Sequence, residues 1–154
     1  MRGVYRLATT ITAVTTAKKL LYLATPATKV VEILSARVTC EDEDTSEQIK
    51  VSLNRATGTV GGGDVLTPKP TEEGTAASGC TCKGGNTSIT GMTSDAIEDA
   101  IAAGGANKLA GWEYVPLPEE RAVIKPSDYL VLETIDAIAN SCDLTCEILF
   151  RELG

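Results

Sequence analysis

The 154-residue chain contains no histidine. Histidine is the side chain that most often acts as a general base near neutral pH, and it is the usual ligand of cupin-type metal sites. Its absence excludes a Ser-His or Cys-His nucleophile pair. We therefore predict that the protein is not an enzyme, has no catalytic residue and needs no cofactor.

Two further patterns that could carry chemistry are incomplete. Glu119 and Glu120 form a carboxylate pair, but adjacent residues of an extended chain point apart, so we interpret them as solvated loop charges. The glycine run at 61–63 precedes Asp64 without a lysine or a Ser/Thr in the register of a phosphate-binding loop. Neither pattern predicts a catalytic or nucleotide site.

Aromatic residues make up only 4% of the chain, and this favours β-branched sheet packing over an aromatic binding groove. Trp112 and Tyr114 fall on the same face of a predicted strand. They could form a sugar-stacking platform, but a place in the core or at a subunit interface suits them better. We assign Trp112 and Tyr114 to an oligomer interface.

Basic residues and long apolar runs are also scarce. The net charge is −7, from 14 basic and 21 acidic residues, which argues against binding to nucleic acid. The acidic run at 41–44 is interpreted as a solvated turn between two strands. No apolar run reaches the roughly 18 residues that a membrane span needs, so we expect no membrane partner.

The amino terminus resembles a targeting segment only superficially. Arg6 and the pair Lys18-Lys19 interrupt any signal-peptide core. Residues 1–16 therefore predict an amino-terminal arm or edge strand, followed by a single domain at 17–154. We expect the protein to be made in a cytoplasm and to stay there until something else releases it.

The five cysteines are an odd number, and buried reduced thiols are the default interpretation. Cys142 and Cys146 lie about 13 Å apart on one strand face, too far to bridge. A zinc site at Cys80-x-Cys82 with two other ligands is the alternative, but the spacing is not that of a ribbon or finger. The same two cysteines lack the two-residue spacer that is usual in redox motifs. The sequence predicts no metal ligand.

Alternating apolar residues predict strands over much of the chain. The pattern is clearest near the carboxyl terminus, where five alternate positions are apolar: Cys142, Leu144, Cys146, Ile148 and Phe150. Segments 30–40 and 48–55 alternate similarly and predict an antiparallel hairpin. The Gly-, Thr- and Pro-rich stretch at 56–93 predicts a projecting loop and a short strand near 76–82, unless pairing that the sequence hides extends its strands.

One helix is predicted over residues 95–103. Asp95 and Glu98 have the spacing of a capping pair, and Gly104-Gly105 could end the helix. The whole set predicts an all-β fold, an antiparallel β-sandwich of jelly-roll type with one short helix.

Several local motifs carry a resemblance to a known class of proteins. They are Thr45-Ser-Glu-Gln48 between two strands, Gly111-Trp-Glu-Tyr-Val-Pro116, Pro118-Glu-Glu-Arg121, a Pro-Ser-Asp turn and the closing strand Glu147-Ile-Leu-Phe150. Over roughly residues 20–153 the chain resembles the small jelly-roll decoration, or cement, proteins of tailed bacteriophages. The resemblance implies a homotrimer that binds the major capsid protein at capsomer junctions on the outer surface of the head and stabilises the virion.

We predict contact residues in two segments that look mobile and dispensable for the core. They are Arg2, Tyr5 and Arg6 in the arm and Val60, Asp64 and Lys69 in the loop at 60–69. A receptor- or glycan-binding head domain of a phage structural protein is the alternative function, and a small metalloenzyme is a further one.

Overall fold

The computed structural model describes residues 3–41 and 46–154, leaving aside the side chain of Ala106. The regular secondary structure of these residues is β-strand, apart from 3-10 turns at Ile97–Asp99 and Pro118–Glu120. The strands of the described part are β1 (Val4–Val14), β2 (Lys18–Ala24), β3 (Val30–Cys40), β4 (Gln48–Leu66), β5 (Lys69–Pro70), β6 (Thr81–Ser94), β7 (Ala102–Asn107), β8 (Trp112–Tyr114), β9 (Val123–Ile124), β10 (Tyr129–Thr134) and β11 (Cys142–Leu153).

Two antiparallel sheets pack face to face, which confirms the predicted all-β sandwich. Sheet A has the order β5-β1-β11-β3-β8, with β9 also paired to β3. Sheet B has the order β10-β2-β6-β4-β7, and an additional pairing joins β10 to β4. Because of that pairing, four strands of sheet B close into a ring, and β7 is left at its edge.

The alternation of β11 is confirmed, since its burial alternates residue by residue along the whole strand. One face of β11 lies in the core between the sheets, where Cys142, Leu144 and Phe150 are fully buried. The strand pairs with β1 on one side and with β3 on the other. It is therefore the central strand of sheet A, and the residues between the buried ones form the outer face, which is polar except at Leu149 and Leu153.

The amino-terminal segment is a core strand, so the prediction that it is dispensable for the core is wrong. β1 pairs with β11 from Val4 to Val14. Its buried side chains include Leu7 and Tyr5, and the ring of Tyr5 stacks on Phe150 with centroids 5.6 Å apart. The weak sequence alternation hid this role because the exposed positions between them are mostly threonine and alanine.

The predicted hairpin between 30–40 and 48–55 is wrong in its pairing. β3 begins and ends at the predicted residues, but it lies in sheet A, and β4 lies in sheet B. The connection at 41–47 therefore crosses from one sheet to the other. Residues 42–45 of that connection, including part of the predicted acidic turn, lie outside the described residues.

The predicted helix at 95–103 is also wrong. Only Ile97–Asp99 form a 3-10 turn, without a side-chain cap, and strand β7 begins at Ala102. β7 pairs with β4 from Leu53 to Gln48. The strand pairing overrides the helical preference of the alanines, because sheet formation depends on available neighbours more than on local propensity.

The stretch at 56–93 is largely stranded through pairing that its glycines hide in the sequence, so the projecting loop predicted at 60–69 is wrong. β4 continues to Leu66 and pairs with β6. Gly58 and Gly91 have positive φ where the two strands meet, and a Cβ on Gly91 would lie 2.3 Å from the Thr59 carbonyl oxygen. Five buried side chains make a second small core under this hairpin: Tyr22, Ala56, Ile89, Met92 and Val131.

Candidate interaction surfaces

Glu152 is a buried carboxylate that fastens the segment at 71–80 to the end of the sandwich. It accepts hydrogen bonds from the Ser78 hydroxyl at 2.5 Å and the Gly79 N–H at 2.8 Å, and Lys29 Nζ lies 2.5 Å from its other oxygen. Burial alone raises the pKa of Glu152, but the bonds from Lys29, Ser78 and Gly79 outweigh it and hold the pKa below its usual range. This carboxylate is a structural acceptor and is ill suited to general acid catalysis.

A second ion pair, between Lys108 and Glu47, joins three of the connections between strands. Lys108 is 3% exposed, and its ammonium lies 3.0 Å from a Glu47 oxygen and donates to the Asn140 carbonyl at 2.6 Å. Glu47 also accepts from the Ala139 N–H at 2.6 Å. The hydrogen bonds from Ala139 and Lys108 lower the pKa of Glu47 to about 2. The contacts tie the β3–β4, β7–β8 and β10–β11 connections together.

The outer face of sheet A is covered by paired charges. Glu147 on β11 lies between Arg6 on β1 and Arg37 on β3. On the same face, Glu32 contacts Arg151 and lies 3.9 Å from Arg121. Each carboxylate therefore faces a guanidinium on a neighbouring strand or connection, an arrangement that fixes strand register rather than activating a proton donor.

The cysteines are unbridged, as the sequence analysis predicted, and all but Cys40 are buried. Burial raises the pKa of Cys80 and of Cys142 to about 12, and it also raises the pKa of Cys82 and Cys146. A thiol with so high a pKa is a poor nucleophile and a poor redox centre. Among the described residues no group of three potential ligands from His, Cys, Asp and Glu comes together.

We predict that Cys80, Cys82, Cys142 and Cys146 react slowly with a thiol reagent in the folded protein. At pH 8 a thiol of pKa about 12 is ionised to about one part in 10⁴, and burial excludes the reagent as well. Labelling with an aromatic disulfide should modify these four only after denaturation. Fast modification of Cys80 in native protein, located by mass spectrometry, would contradict the structural assignment.

The predicted contact residues of the amino-terminal segment are not all available. Arg2 lies outside the described residues. Tyr5 is 3% exposed and donates its hydroxyl to the Ala76 carbonyl at 2.9 Å, so its assignment as a capsid contact is wrong. Arg6 is exposed on the outer face of sheet A, where it pairs with Glu147. Of the predicted contact residues in this segment that the structure describes, only Arg6 is exposed.

The contact residues predicted at 60–69 lie in strands. Val60 is partly buried against the second core. Asp64 accepts a hydrogen bond from the Thr87 hydroxyl at 2.6 Å, a contact that lowers its pKa. Lys69 is exposed in β5, opposite Arg6. The structure therefore does not bring these residues together as one mobile loop.

Trp112 and Tyr114 pack partly against the core of their own chain. They share a face of β8, as predicted, and the indole nitrogen lies close to Gly104 of β7. Glu119 and Glu120 are exposed in a 3-10 turn just beyond β8, which agrees with solvated charges.

The connection that follows β8 exposes several large apolar side chains, a feature that sequence reasoning missed. Val115 is 66% exposed, Leu117 59% and Val123 49%. Val115 and Leu117 belong to the proline-containing connection between β8 and β9, and Val123 is the first residue of β9. The stretch at 115–123 runs along the β3 edge of sheet A. We call it the apolar edge segment. The usable signal was the Val-Pro-Leu-Pro sequence, since proline has a fixed φ and no N–H with which to pair with a neighbouring strand.

A groove lies on the outer face of sheet B beside β7. Its volume is about 360 Å³, and it is lined by Gln48 and Lys50 of β4, by Ala103, Gly104 and Gly105 of β7, and by Ile97 of the 3-10 turn, with Val51 beneath. The Lys50 ammonium lies 3.0 Å from Asp136 at its rim. The predicted helix concealed this groove from sequence analysis.

No helix among residues 3–41 and 46–154 is long and apolar enough to cross a bilayer. Comparison of the chain with models of protein families, with curated protein sequences and with solved structures finds no match.

Proposed function

We propose that the protein decorates the outer surface of a bacteriophage head, where it binds the major capsid protein and stabilises the shell. The observation that carries the proposal is the apolar edge segment, because Val115, Leu117 and Val123 are all exposed within nine residues along one edge of sheet A. Clustered exposed apolar side chains are typical of surfaces that bind other proteins. The resemblance of the sequence motifs to decoration proteins supplies the kind of partner.

The strand order supports the jelly-roll part of the proposal. When β5, β6 and β9 are set aside, the first four strands pair with the last four in nested order: β1 with β11, β2 with β10, β3 with β8 and β4 with β7. A long antiparallel ribbon rolled up in this way is the plan of a jelly roll, an architecture that occurs in viral capsid and lectin domains. The fold alone does not specify the function, so the proposed function depends on the exposed residues of the surface.

The ionisable groups of the described residues suit a structural role. The buried carboxylate Glu152 is held by hydrogen bonds, the thiols of Cys80 and Cys142 have raised pKa values, and Glu147 is paired with arginines. A rigid homotrimer would bring three copies of the apolar edge segment to one site. Three weak contacts that are linked rigidly gain avidity that a single contact lacks.

The proposal is tested by shell stability. Capsid shells made without the protein should disassemble at a higher temperature after the purified protein is added, as followed by light scattering during heating. An unchanged disassembly temperature at saturating protein would contradict a cementing role. Binding to host cells or to glycans in place of shells would favour the receptor-binding alternative.

We predict that Leu117→Asp abolishes binding to the shell without unfolding the protein. Leu117 is 59% exposed, so its replacement should change the free energy of unfolding little. At an apolar interface, however, the aspartate would have to lose its hydration, which weakens binding. Shell binding should weaken by at least about tenfold, a change of roughly 1.4 kcal/mol.

Leu109→Asp is the matched control, because Leu109 is 56% exposed and lies outside the apolar edge segment. Its binding should equal that of the natural chain. Equal binding by Leu117→Asp and the natural chain would remove the apolar edge segment from the interface.

A further inference from the structure

Strand β7 is an edge strand without the usual protection. Its sequence, Ala-Ala-Gly-Gly-Ala-Asn, contains neither a charged residue nor a proline. Its backbone pairs with β4 on one side, apart from a single bridge between Asn107 and Gly111 at its end. The other four strands of sheet B close into a ring, and β7 is the one described strand of that sheet that lies outside the ring.

The edges of sheet A contrast with β7. β5 has only two residues, Lys69 and Pro70, and β8 has three with Glu113 at its centre. β1 is covered by β5 near Arg6, and its Thr12 N–H donates to the Asn86 side chain. Short strands, lysine, proline and side-chain covers are the devices by which proteins block pairing with a foreign strand. Sheet A has them and β7 does not.

The groove beside β7 could receive the side chains of an added strand. Ala103 and Gly105 of β7 are exposed on the floor, and Ile97, 47% exposed, forms an apolar wall. The volume of about 360 Å³ falls within the usual range of about 300–1,000 Å³ for binding pockets. An extended segment that pairs with β7 would place alternate side chains over this floor.

The charges around the groove decide which segment fits. The turn that carries Ile97 also contains Glu98 and Asp99, and Asp95 lies two residues before it. All three acidic residues are exposed. Asp136 adds a carboxylate beside the groove, where it pairs with Lys50, the only basic side chain in the lining. An acidic rim attracts a basic partner and repels a second copy of a chain whose net charge is −7.

We propose that β7 and its groove bind an extended polypeptide segment that has apolar side chains at alternate positions and lysine or arginine at its ends. The segment adds to sheet B through main-chain hydrogen bonds with β7. One or two of its apolar side chains fill the space against Ile97, and its basic ends meet the carboxylates of the rim. This binding mode goes beyond the proposed decoration of a shell and does not depend on it.

The test uses a labelled synthetic peptide of about seven residues, roughly the length of one strand, with alternating valine and threonine between two terminal arginines. Fluorescence anisotropy should show saturable binding to the full chain, weaker at high salt. Hydrogen exchange should show new protection of the β7 amides. A peptide with glutamate in place of the arginines should bind at least about tenfold more weakly because of the acidic rim.

Two variants locate the site. Ala103→Lys places a charge on the floor of the groove, and Glu98→Lys reverses a charge at the rim on an exposed turn that should tolerate it. Both should weaken the basic peptide by at least about tenfold, since like charges face each other. Ala27→Lys is the matched control on the exposed β2–β3 turn, and it should bind as the natural chain does.

Several results would overturn the inference. They are equal binding by the two peptides, unchanged affinity of folded Glu98→Lys, and peptide binding without protection of β7. Self-association that Ala103→Lys abolishes would identify a second copy as the occupant and would overturn the choice of a basic segment. Normal shell binding by Glu98→Lys would leave the proposed decoration standing, so the two ideas can fail separately.

Discussion

Removal of residues 1–8 is expected to leave the chain without a stable fold. The deletion removes Tyr5 and Leu7 from the core and the pairing of Val4–Ala8 with β11. Loss of one large buried side chain costs about 2–5 kcal/mol, so two such losses approach the whole stability of a typical domain, about 5–15 kcal/mol. Circular dichroism during heating should show a lost or strongly broadened transition.

Point variants separate the core contribution from the loss of chain length. Leu7→Ala should lower the free energy of unfolding by about 3 kcal/mol, because Leu7 is fully buried between the sheets. Ala8→Ser, at the exposed neighbouring position, should change it by less than about 0.5 kcal/mol. A truncated chain that melts cooperatively near the temperature of the full chain would show that β1 is not part of the core.

Glu152→Ala is expected to release the segment at 71–80 and to lower the free energy of unfolding by about 3 kcal/mol. The variant removes the acceptor of two hydrogen bonds, from Ser78 and Gly79, and the partner of Lys29. Hydrogen bonds to charged groups contribute about 1.5–3 kcal/mol each, and the partial exposure of Lys29 reduces the sum. A protease that cuts after glutamate should cleave at exposed Glu72 or Glu73 faster in the variant.

Glu152→Gln is the conservative comparison, and it predicts a dependence on pH. Because the folded state lowers the pKa of Glu152, its charge stabilises the fold above the ordinary carboxyl pKa. That contribution is lost as the pH falls through the lowered value. The natural chain should therefore be more stable than the glutamine variant at pH 7, and the difference should shrink toward pH 2. A difference that grows in acid would contradict the assigned direction.

The sequence predicted the elements whose core residues alternate strongly. β11 and β3 have that pattern, and both were placed correctly as strands. The pairing partners could not be predicted, because alternation says which face is buried and nothing about which strand lies alongside. For this reason the sequence predicts β3 and β4 as neighbours, although they belong to different sheets.

Glycine and alanine concealed the remaining parts of the fold. The β4–β6 hairpin contains glycines at bends such as Gly58 and Gly91, where the sequence indicated a loop. The alanines near 100–106 indicated a helix where β7 pairs with β4. These two errors hid the second core and the groove, and therefore the edge of β7 to which a further strand could add.

Some of the predicted contact residues are exposed and others are buried, and the difference has a physical reason. The segments look dispensable for the core in the sequence. Tyr5 is nevertheless buried, because its ring packs against Phe150 in a long-range contact that no local sequence pattern reveals. The apolar edge segment was missed because its side chains follow prolines rather than an alternating pattern. Long-range contacts decide both cases, so the sequence alone could not separate a surface residue from a core residue here.

The most direct test of the proposed function is co-sedimentation of the purified protein with capsid shells that lack it, after light scattering has given its mass in solution. The proposal predicts a trimer that pellets with the shells in a saturable way, with binding lost in Leu117→Asp and kept in Leu109→Asp. A monomer that stays in the supernatant at every shell concentration would contradict it.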